Sequence, residues 1–426
     1  MTNNLLAVSW AMPPLVYPRA IQVSRALKQL SLRGWSIDVI ALDALSSNAG
    51  RRDEAFASRY NALYRLHPID TTPAIPAENR RWNRSQWRQR LHRMLPADAE
   101  GRAWTKLASE KGRALIKAKR PRALVTFAQP WTDHLVGISL KRRFPSLPWI
   151  AHFSDPWVDS PYVQNEDPDV MDRWRMQERE VVRKADAVVF VNQRTANLVM
   201  SKYPSHWGMK ASVVPHGFDA DLLTPFLNSK VASGRLKFVY TGSMFEGLRD
   251  PFMLLEAIAL LKQMLAPEAM PAFEFVGSTD ARYPARAQEL GIDTITRFDE
   301  PTSYLNSLQI ASEADVLIVI DTNLPGSVFF PSKVVDYLMF GKPILALTAD
   351  GGETAEILAP LGHVCVNASS PTLIANAIAR LVKGREEIAA TVERRRNLAD
   401  NYRISNTTKI LEEAIVRASE RRRSVA

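Results

Sequence analysis

Residues 329–347 read FFPSKVVDYLMFGKPILAL, and this stretch decides the fold. The run before it, DVLIVI at 315–320, is short, apolar and rich in β-branched residues, as a buried parallel strand should be. DTNLPGS at 321–327 follows as a loop at the strand's carboxyl end. Pro331 suits the first turn of a helix, and Val334, Val335, Leu338 and Met339 recur at helical spacing, so the helix buries one face. Gly341 and Pro343 end it, and PILAL begins another strand. Ser332 and Lys333 then lie in the first turn, where free backbone N–H groups and the positive end of the helix dipole favour an anion. Asp336 follows four residues after Ser332 on the same face. The pattern is that of a phosphate site beside a hydroxyl-rich group; its plain alternative is a solvated helix cap.

Working backwards, the second half of the chain alternates in the same way. Residues 236–240 read as a strand entering the loop TGSMFEGLRDP at 241–251, and a helix spans 252–265. Glycines at a strand exit leave room for a phosphate, and Arg249 supplies a permanent fork of donors. Gly242 and Gly247 also fit ordinary turns. FEFVGS at 273–278 is the next strand and turn, ending at Gly277 and Ser278. A strand at 294–297 and a helix at 302–313 lead to the opening stretch. Beyond it come the HVCV strand and helices at 375–383, 386–401 and 405–423.

The first half begins with a strand at 4–9, a Pro-rich turn, a helix at 19–33 and a strand at 36–42, a βαβ unit. Its loop, AMPPLVYPRA, lies at the side where open α/β sheets bind ligands but has no glycine-rich dinucleotide fingerprint. Alternation resumes with a strand at 123–127, a helix from Thr132, and strands and helices at 148–153, 169–184, 187–191, 193–203 and 211–215. Asp133 and His134 open the helix near the ligand edge, and His134 is either a packed core residue or a donor, acceptor or acid. Asp155, in AHFSDPW at 151–157, either points from a strand end into the site or caps a helix that starts at Pro156. Periodicity lapses between Asp219 and Arg235, which reads as a linker.

Together these segments resemble retaining family 4 glycosyltransferases of the GT-B fold, in particular the bacterial surface-polysaccharide type. The match is carried by P-S-K-x-x-[DE]-Y-x-x-x-G-K-P at 331–343 and by Y-T-G-x-x-x-x-G-x-R-D-P at 240–251. AHFSDPW adds a likeness to D-x-R-D-P-W, with Ser154 for the usual Arg, and VVPHGFD at 213–219 resembles V-I-P-N-G-V-D. The resemblance implies two Rossmann-like doubly wound domains facing across a cleft. Their expected limits are 1–218 for the acceptor side, 219–404 for the nucleotide-sugar side, and a final helix at 405–426 crossing back to the first domain. It implies transfer of a hexosyl group from a nucleoside diphosphate sugar to a hydroxyl acceptor, lipid-linked or saccharide, in surface polysaccharide or glycolipid synthesis. Retention of configuration without a metal or other cofactor is expected. Arg249 and Lys333 would meet the diphosphate, joined by Gly242, Ser243, Gly277, Ser278 and Ser332, with Asp336 on the ribose; Asp155 and His134 are the further catalytic candidates. Two departures stand out: Val328 occupies the position of a second acidic residue, and Pro13 and Pro14 replace two glycines. A nucleotide-sugar epimerase of the same fold, or a noncatalytic sugar-nucleotide or membrane-binding module, are the other readings.

The whole chain fits this reading. Its 426 residues are enough for two domains, and 46% apolar with 23% charged residues is ordinary for a globular protein. The absence of a long uncharged apolar run and of a signal-peptide pattern predicts a cytoplasmic protein. Cys365 is the one cysteine, so no internal disulfide framework is expected. The net charge of +10 points to an anionic partner, whether nucleic acid, acidic lipid or phosphorylated substrate. Arg80, Arg81, Arg84, Arg88, Arg90 and Arg93 interleave with Trp82, Trp87, Leu91, Met94 and Leu95, with no acid between 79 and 95. Such a segment either lies on an anionic membrane at the inner face of the cell or is a solvated helix with its Trp and Leu packed on the sheet. Nucleic acid is not expected as a partner, since no RNA-binding signature accompanies the charge.

Overall fold

The computed structural model describes residues 3–45, 50–72, 99–163, 166–227, 234–244, 246–247 and 249–423. The arginine segment at 79–95 lies outside the described residues. The chain divides into two compact units, Met1–Gly217 with Ile404–Ala426, and Phe218–Arg403.

The first unit is built on seven parallel strands, β1 (Asn4–Val8), β2 (Ser36–Leu42), β3 (Arg65–Ile69), β4 (Ala123–Phe127), β5 (Trp149–Phe153), β6 (Ala187–Phe190) and β7 (Ala211–Val213). Their order is β3-β2-β1-β4-β5-β6-β7, so the winding reverses between β1 and β4. Successive side chains of a strand point to opposite faces, and β1 shows it. Leu6 and Val8 join one apolar cluster with Trp104, Leu140 and Trp149, while Leu5 and Ala7 join another with Val23, Leu27 and Trp35. Helices Pro18–Leu32, Ala99–Lys119, Thr132–Arg143 and Pro168–Lys184 cover the faces. The final helix, Ile404–Arg423, places Leu411, Ala414, Ile415 and Ala418 in the second of these clusters.

The second unit repeats the plan with six parallel strands: β8 (Lys237–Thr241), β9 (Ala272–Val276), β10 (Thr296–Asp299), β11 (Val316–Ile320), β12 (Ile344–Thr348) and β13 (Val364–Asn367). The order is β10-β9-β8-β11-β12-β13, and the reversal falls between β8 and β11. Open α/β sheets bind ligands at such a reversal, outside the carboxyl ends of the strands. The helix of the opening stretch runs Lys333–Phe340 and stops at Gly341, whose φ of +68° is left-handed; a Cβ there would lie 2.4 Å from the Val392 carbonyl oxygen. That contact and that φ together make glycine the fitting stop.

Some expected elements differ. The helix at 386–401 is two, Arg385–Ala390 and Val392–Leu398, broken at Thr391. The 219–235 linker begins with a helical turn at Ala220–Leu223 and a 3₁₀ turn at Thr224–Phe226. No described helix is long and apolar enough to cross a membrane.

Candidate functional site

In the second unit, Lys333 begins its helix one residue after Ser332, which occupies the cap position without a side-chain cap hydrogen bond. The aliphatic stem carries the ammonium back over β8. Nζ donates to the Thr241 carbonyl oxygen at 2.8 Å and stands 3.5 Å from the centre of the Tyr240 ring, a cation–π contact. Thr241 is itself fixed by Tyr337, with hydroxyl to hydroxyl at 2.9 Å and the Thr241 N–H donating to the Tyr337 hydroxyl at 3.2 Å. At the next residue, a Cβ on Gly242 would meet Nζ at 3.3 Å. Burial holds the Lys333 ammonium well below its usual range; Arg249 adds to the effect and Asp321 opposes it.

Arg249 approaches from the β8 loop. Its Nη2 is 3.8 Å from Oδ1 of Asp321, a fully buried carboxylate at the end of β11. Oδ1 of Asp321 also accepts from the Thr322 N–H at 2.7 Å, and Thr354 donates to Oδ2. Burial raises the pKa of Asp321, while Arg249 lowers it. Two cations and one enclosed carboxylate therefore meet where β8 and β11 leave the sheet, an arrangement with room for further negative charge.

Gly277 closes the wall from β9. Its φ is +126°, and a Cβ would fall 2.4 Å from the Gly242 carbonyl oxygen, so the two strand exits touch through backbone. Ser278 and Ser243 flank this contact, Ser243 exposed and accepting the Tyr240 hydroxyl on its carbonyl at 2.8 Å. Asp336 lies one helical turn beyond Lys333; it is 3% exposed, and Tyr304 donates its hydroxyl to Oδ2 at 2.7 Å. The structure thus gathers Gly242, Arg249, Gly277 and Lys333 around one strand reversal, with Asp336 on the same helix as Lys333.

The first-unit candidates have different surroundings. Asp155 is partly exposed, with Oδ2 reached by Gln129 Nε2 at 3.1 Å and Ser154 Oγ at 3.2 Å. No helix starts at Pro156: a 3₁₀ turn begins at Pro161 and the next α-helix at Pro168, so the capping alternative does not hold. His134 is fully enclosed, its ring 4.6 Å from Phe153 and its Nδ1 2.7 Å from Thr126 Oγ1. Trp149 Nε1 donates to the same hydroxyl at 3.0 Å. Burial and Arg19 lower the His134 pKa to about 3, so the ring stays neutral, and these contacts are those of a packed core residue. Its neighbour Asp133 is equally enclosed, accepting from the Trp10 N–H and from Trp104 Nε1, both at 2.8 Å.

Tyr304 and Asp321 position the candidates from distant parts of the chain and stand in neither motif, while Tyr240 and Tyr337 stand in the motifs without a role legible from them. Sequence reading passed over Arg19, whose only signal is its place just after the Pro that opens a helix. Among the described residues no group of three or more His, Cys, Asp or Glu is placed to hold a metal ion.

Two doubly wound parallel domains of these strand orders define the GT-B fold. Solved structures share it along nearly the whole chain. Sucrose-phosphate synthase from Thermosynechococcus elongatus superposes with a TM-score of 0.64 at 15% identity, covering 99% of this chain and 98% of that one. Anabaena HepE, solved in complex with UDP-glucose, gives 0.64 at 14% identity, covering 97% and 99%. A Listeria monocytogenes protein provisionally named UDP-N-acetylglucosamine 2-epimerase gives 0.61 at 10% identity, covering 99% and 98%. No protein-family model and no curated protein sequence matches the chain.

Proposed function

We propose that this chain is a glycosyltransferase that moves a hexosyl group from a nucleoside diphosphate sugar to a hydroxyl acceptor. The observation that carries the reading is the convergence of Lys333 and Arg249 on the β8–β11 reversal, beside a helix start and two closely packed glycines. Loss of a diphosphate leaving group develops charge that fixed cations and helix-start N–H groups stabilise before the bond breaks. Lys333 is held by Thr241 and Tyr240, so little reorganisation is needed for it to act. Asp336, steadied by Tyr304, is suited to accept hydrogen bonds from ribose hydroxyls. HepE, of the same fold, was solved with UDP-glucose, which makes uridine diphosphate the first nucleotide to try. Retention of configuration, catalysis without a metal and a lipid-linked or saccharide acceptor belong to this proposal through the family 4 resemblance, as does a place in surface polysaccharide or glycolipid synthesis. Asp155 is the first-domain carboxylate put forward for the acceptor hydroxyl.

The test is a thermal-shift and calorimetric screen of nucleoside diphosphates, followed by Lys333→Ala and Arg249→Ala. Each substitution should lose about 1.5–3 kcal/mol of binding, the range for hydrogen bonds to charged groups. Unchanged affinity in both would remove the diphosphate assignment. An epimerase reading is favoured by the likeness to the Listeria structure. Incubation with donor alone separates the two, since an epimerase turns it over without an acceptor.

A further inference from the structure

Asp321 is a buried carboxylate that the transfer reading leaves without a task. It follows β11 at the strand reversal with its side chain fully enclosed, and it stands among the cations of the site. Nη2 of Arg249 lies 3.8 Å from its Oδ1, and Lys333 bears on it from the helix start. Tyr240, on β8, feels the same charge. Glu353, the residue before Thr354, bears on Tyr402. These are the charged and titratable groups that the described residues place around Asp321.

The surroundings of this carboxyl suit it both with a proton and without one. Oδ1 accepts the Thr322 N–H at 2.7 Å in either state. Oδ2 accepts from the buried Thr354 hydroxyl, and the Phe329 carbonyl oxygen lies 3.3 Å from that same hydroxyl oxygen. A hydroxyl has one hydrogen to give and lone pairs that accept. With Oδ2 ionised, Thr354 donates to it; with Oδ2 protonated, Thr354 accepts the new hydrogen and turns its own to Phe329. Neither state leaves a buried polar group unmatched, so a change of charge here escapes the penalty of an orphaned donor or acceptor. The charges of a ligand point the same way. A diphosphate esterified at both ends carries one negative charge on each phosphate, and Lys333 and Arg249 each bring one positive charge. These balance only when Asp321 is neutral, and a surplus charge in an enclosed site is strongly disfavoured. Burial already lifts the Asp321 carboxyl above its ordinary range, against the pull of Arg249.

Resting on the reading of this reversal as a diphosphate site, we propose that Asp321 is a proton-loaded counter-ion: ionised beside Arg249 in the free protein, it takes one proton from solvent onto Oδ2 as the diphosphate binds, and so gives up Arg249 to the ligand. Asp321 is a positioning residue, acting through Arg249, whose side chain keeps 20% of its surface exposed. The sign of the coupling is fixed. A neighbouring diphosphate makes the carboxyl hold its proton more tightly, so binding takes up a proton between the free and the bound pKa. Affinity is full below that window and falls as pH rises through it. Asparagine, neutral at every pH, imitates the loaded form.

The experiment measures UDP-glucose binding to the full-length protein by calorimetry from pH 5 to 7, a range in which both phosphates of this ligand stay ionised. Two buffers of different ionisation enthalpy count the protons taken up. In the parent the Kd should rise severalfold across the range, with part of a proton taken up. In Asp321→Asn the uptake should vanish, and at pH 7 the Kd should be severalfold lower than the parent's; a carboxylate that only props Arg249 predicts weaker binding at every pH. Lys333→Ala should keep the slope, which separates Asp321 from the ammonium. Thr354→Val, which removes the donor to Oδ2 and favours the neutral carboxyl before binding, should shrink the uptake, and Thr354→Ser should restore it. Tm checks that each variant is folded, and the Thr354 pair carries the test should Asp321→Asn fail to fold. A parent that binds with a flat profile and no uptake, full uptake in Thr354→Val, or an Asp321→Asn that binds more weakly than the parent at pH 7 overturns the inference and leaves the diphosphate site standing. A parent that does not bind UDP-glucose brings down that reading and this inference together.

Discussion

The hydroxyl of Tyr304 donates to Oδ2 of Asp336 at 2.7 Å, joining two residues 32 apart in sequence on adjacent helices of the second domain. A hydroxyl donor at this distance orients the carboxylate. Tyr304→Phe should therefore weaken nucleoside diphosphate binding by roughly the 0.5–1.5 kcal/mol net worth of one hydrogen bond. Asp336→Asn should weaken it further and erase the preference for the ribonucleotide over its dideoxy analogue. Calorimetry with both ligands checks this, and a wild type that does not discriminate between them removes Asp336 from the ribose.

Lys333 gives the binding reaction a pH dependence. Its pKa lies well below the usual range in the free protein, and a bound diphosphate restores the charged form. Below the lowered pKa the ammonium is charged both before and after binding, and affinity is full. As pH rises through it, binding must recapture a proton, and affinity falls up to tenfold per unit. Above pH 7, where the terminal phosphate is already ionised, the Kd for uridine diphosphate should rise with pH in wild type and stay flat in Lys333→Ala. A flat wild-type profile refutes the coupling.

Asp133 makes the stability of the first domain pH-sensitive. Burial raises its pKa to about 7, against 3.8 for a free carboxyl. The raised pKa means the folded state holds the proton more tightly, so the stabilisation is present below pH 4 and is lost as pH rises through 7. The advantage of wild type over Asp133→Asn should accordingly grow by about 2 kcal/mol from pH 7 to 5, at 1.36 kcal/mol per unit. Urea denaturation at the two pH values measures it; a difference independent of pH would show that the carboxyl does not titrate there.

Six arginines of residues 79–95, each worth about 1 kcal/mol near an anionic surface, should hold the protein on anionic vesicles at low salt and release it as salt rises. Replacing Arg80, Arg81, Arg84 and Arg88 with Gln should abolish cosedimentation and leave nucleotide binding intact. Equal cosedimentation of both forms leaves these arginines as a solvated face.

The alternation of apolar runs and amphipathic helices made both sheets legible, because a parallel strand buried on two faces has little choice of residue. The misses have physical causes. Strand β3, Arg65–Ile69, lies at an edge and carries Arg65, His67 and Pro68, so it lacks an apolar run. The Arg282–Glu289 helix has an internal Pro284 and only Tyr283 and Ala287 buried, too few to show a period. Within the site, Lys333 and Arg249 stand in local motifs, whereas Tyr304 and Asp321 act through contacts that exist only once distant strands and helices are adjacent. The same limit applied to His134: its place at a helix start was readable, but its enclosure by Phe153 and Trp131 was not.

The Ile404–Arg423 helix packs Leu411, Ala414, Ile415 and Ala418 into the core of the domain that the first 217 residues begin. The contiguous stretch 218–403 therefore holds all of its own compact unit, whereas the unit begun by the first 217 residues is complete only with the helix made after it. Until the Ile404–Arg423 helix has been made, the earlier domain lacks the side chains that cover one face of its sheet. A stop codon before residue 404 would leave the later-made domain whole and the earlier-made one with an apolar face exposed, a form that chaperones and proteases recognise.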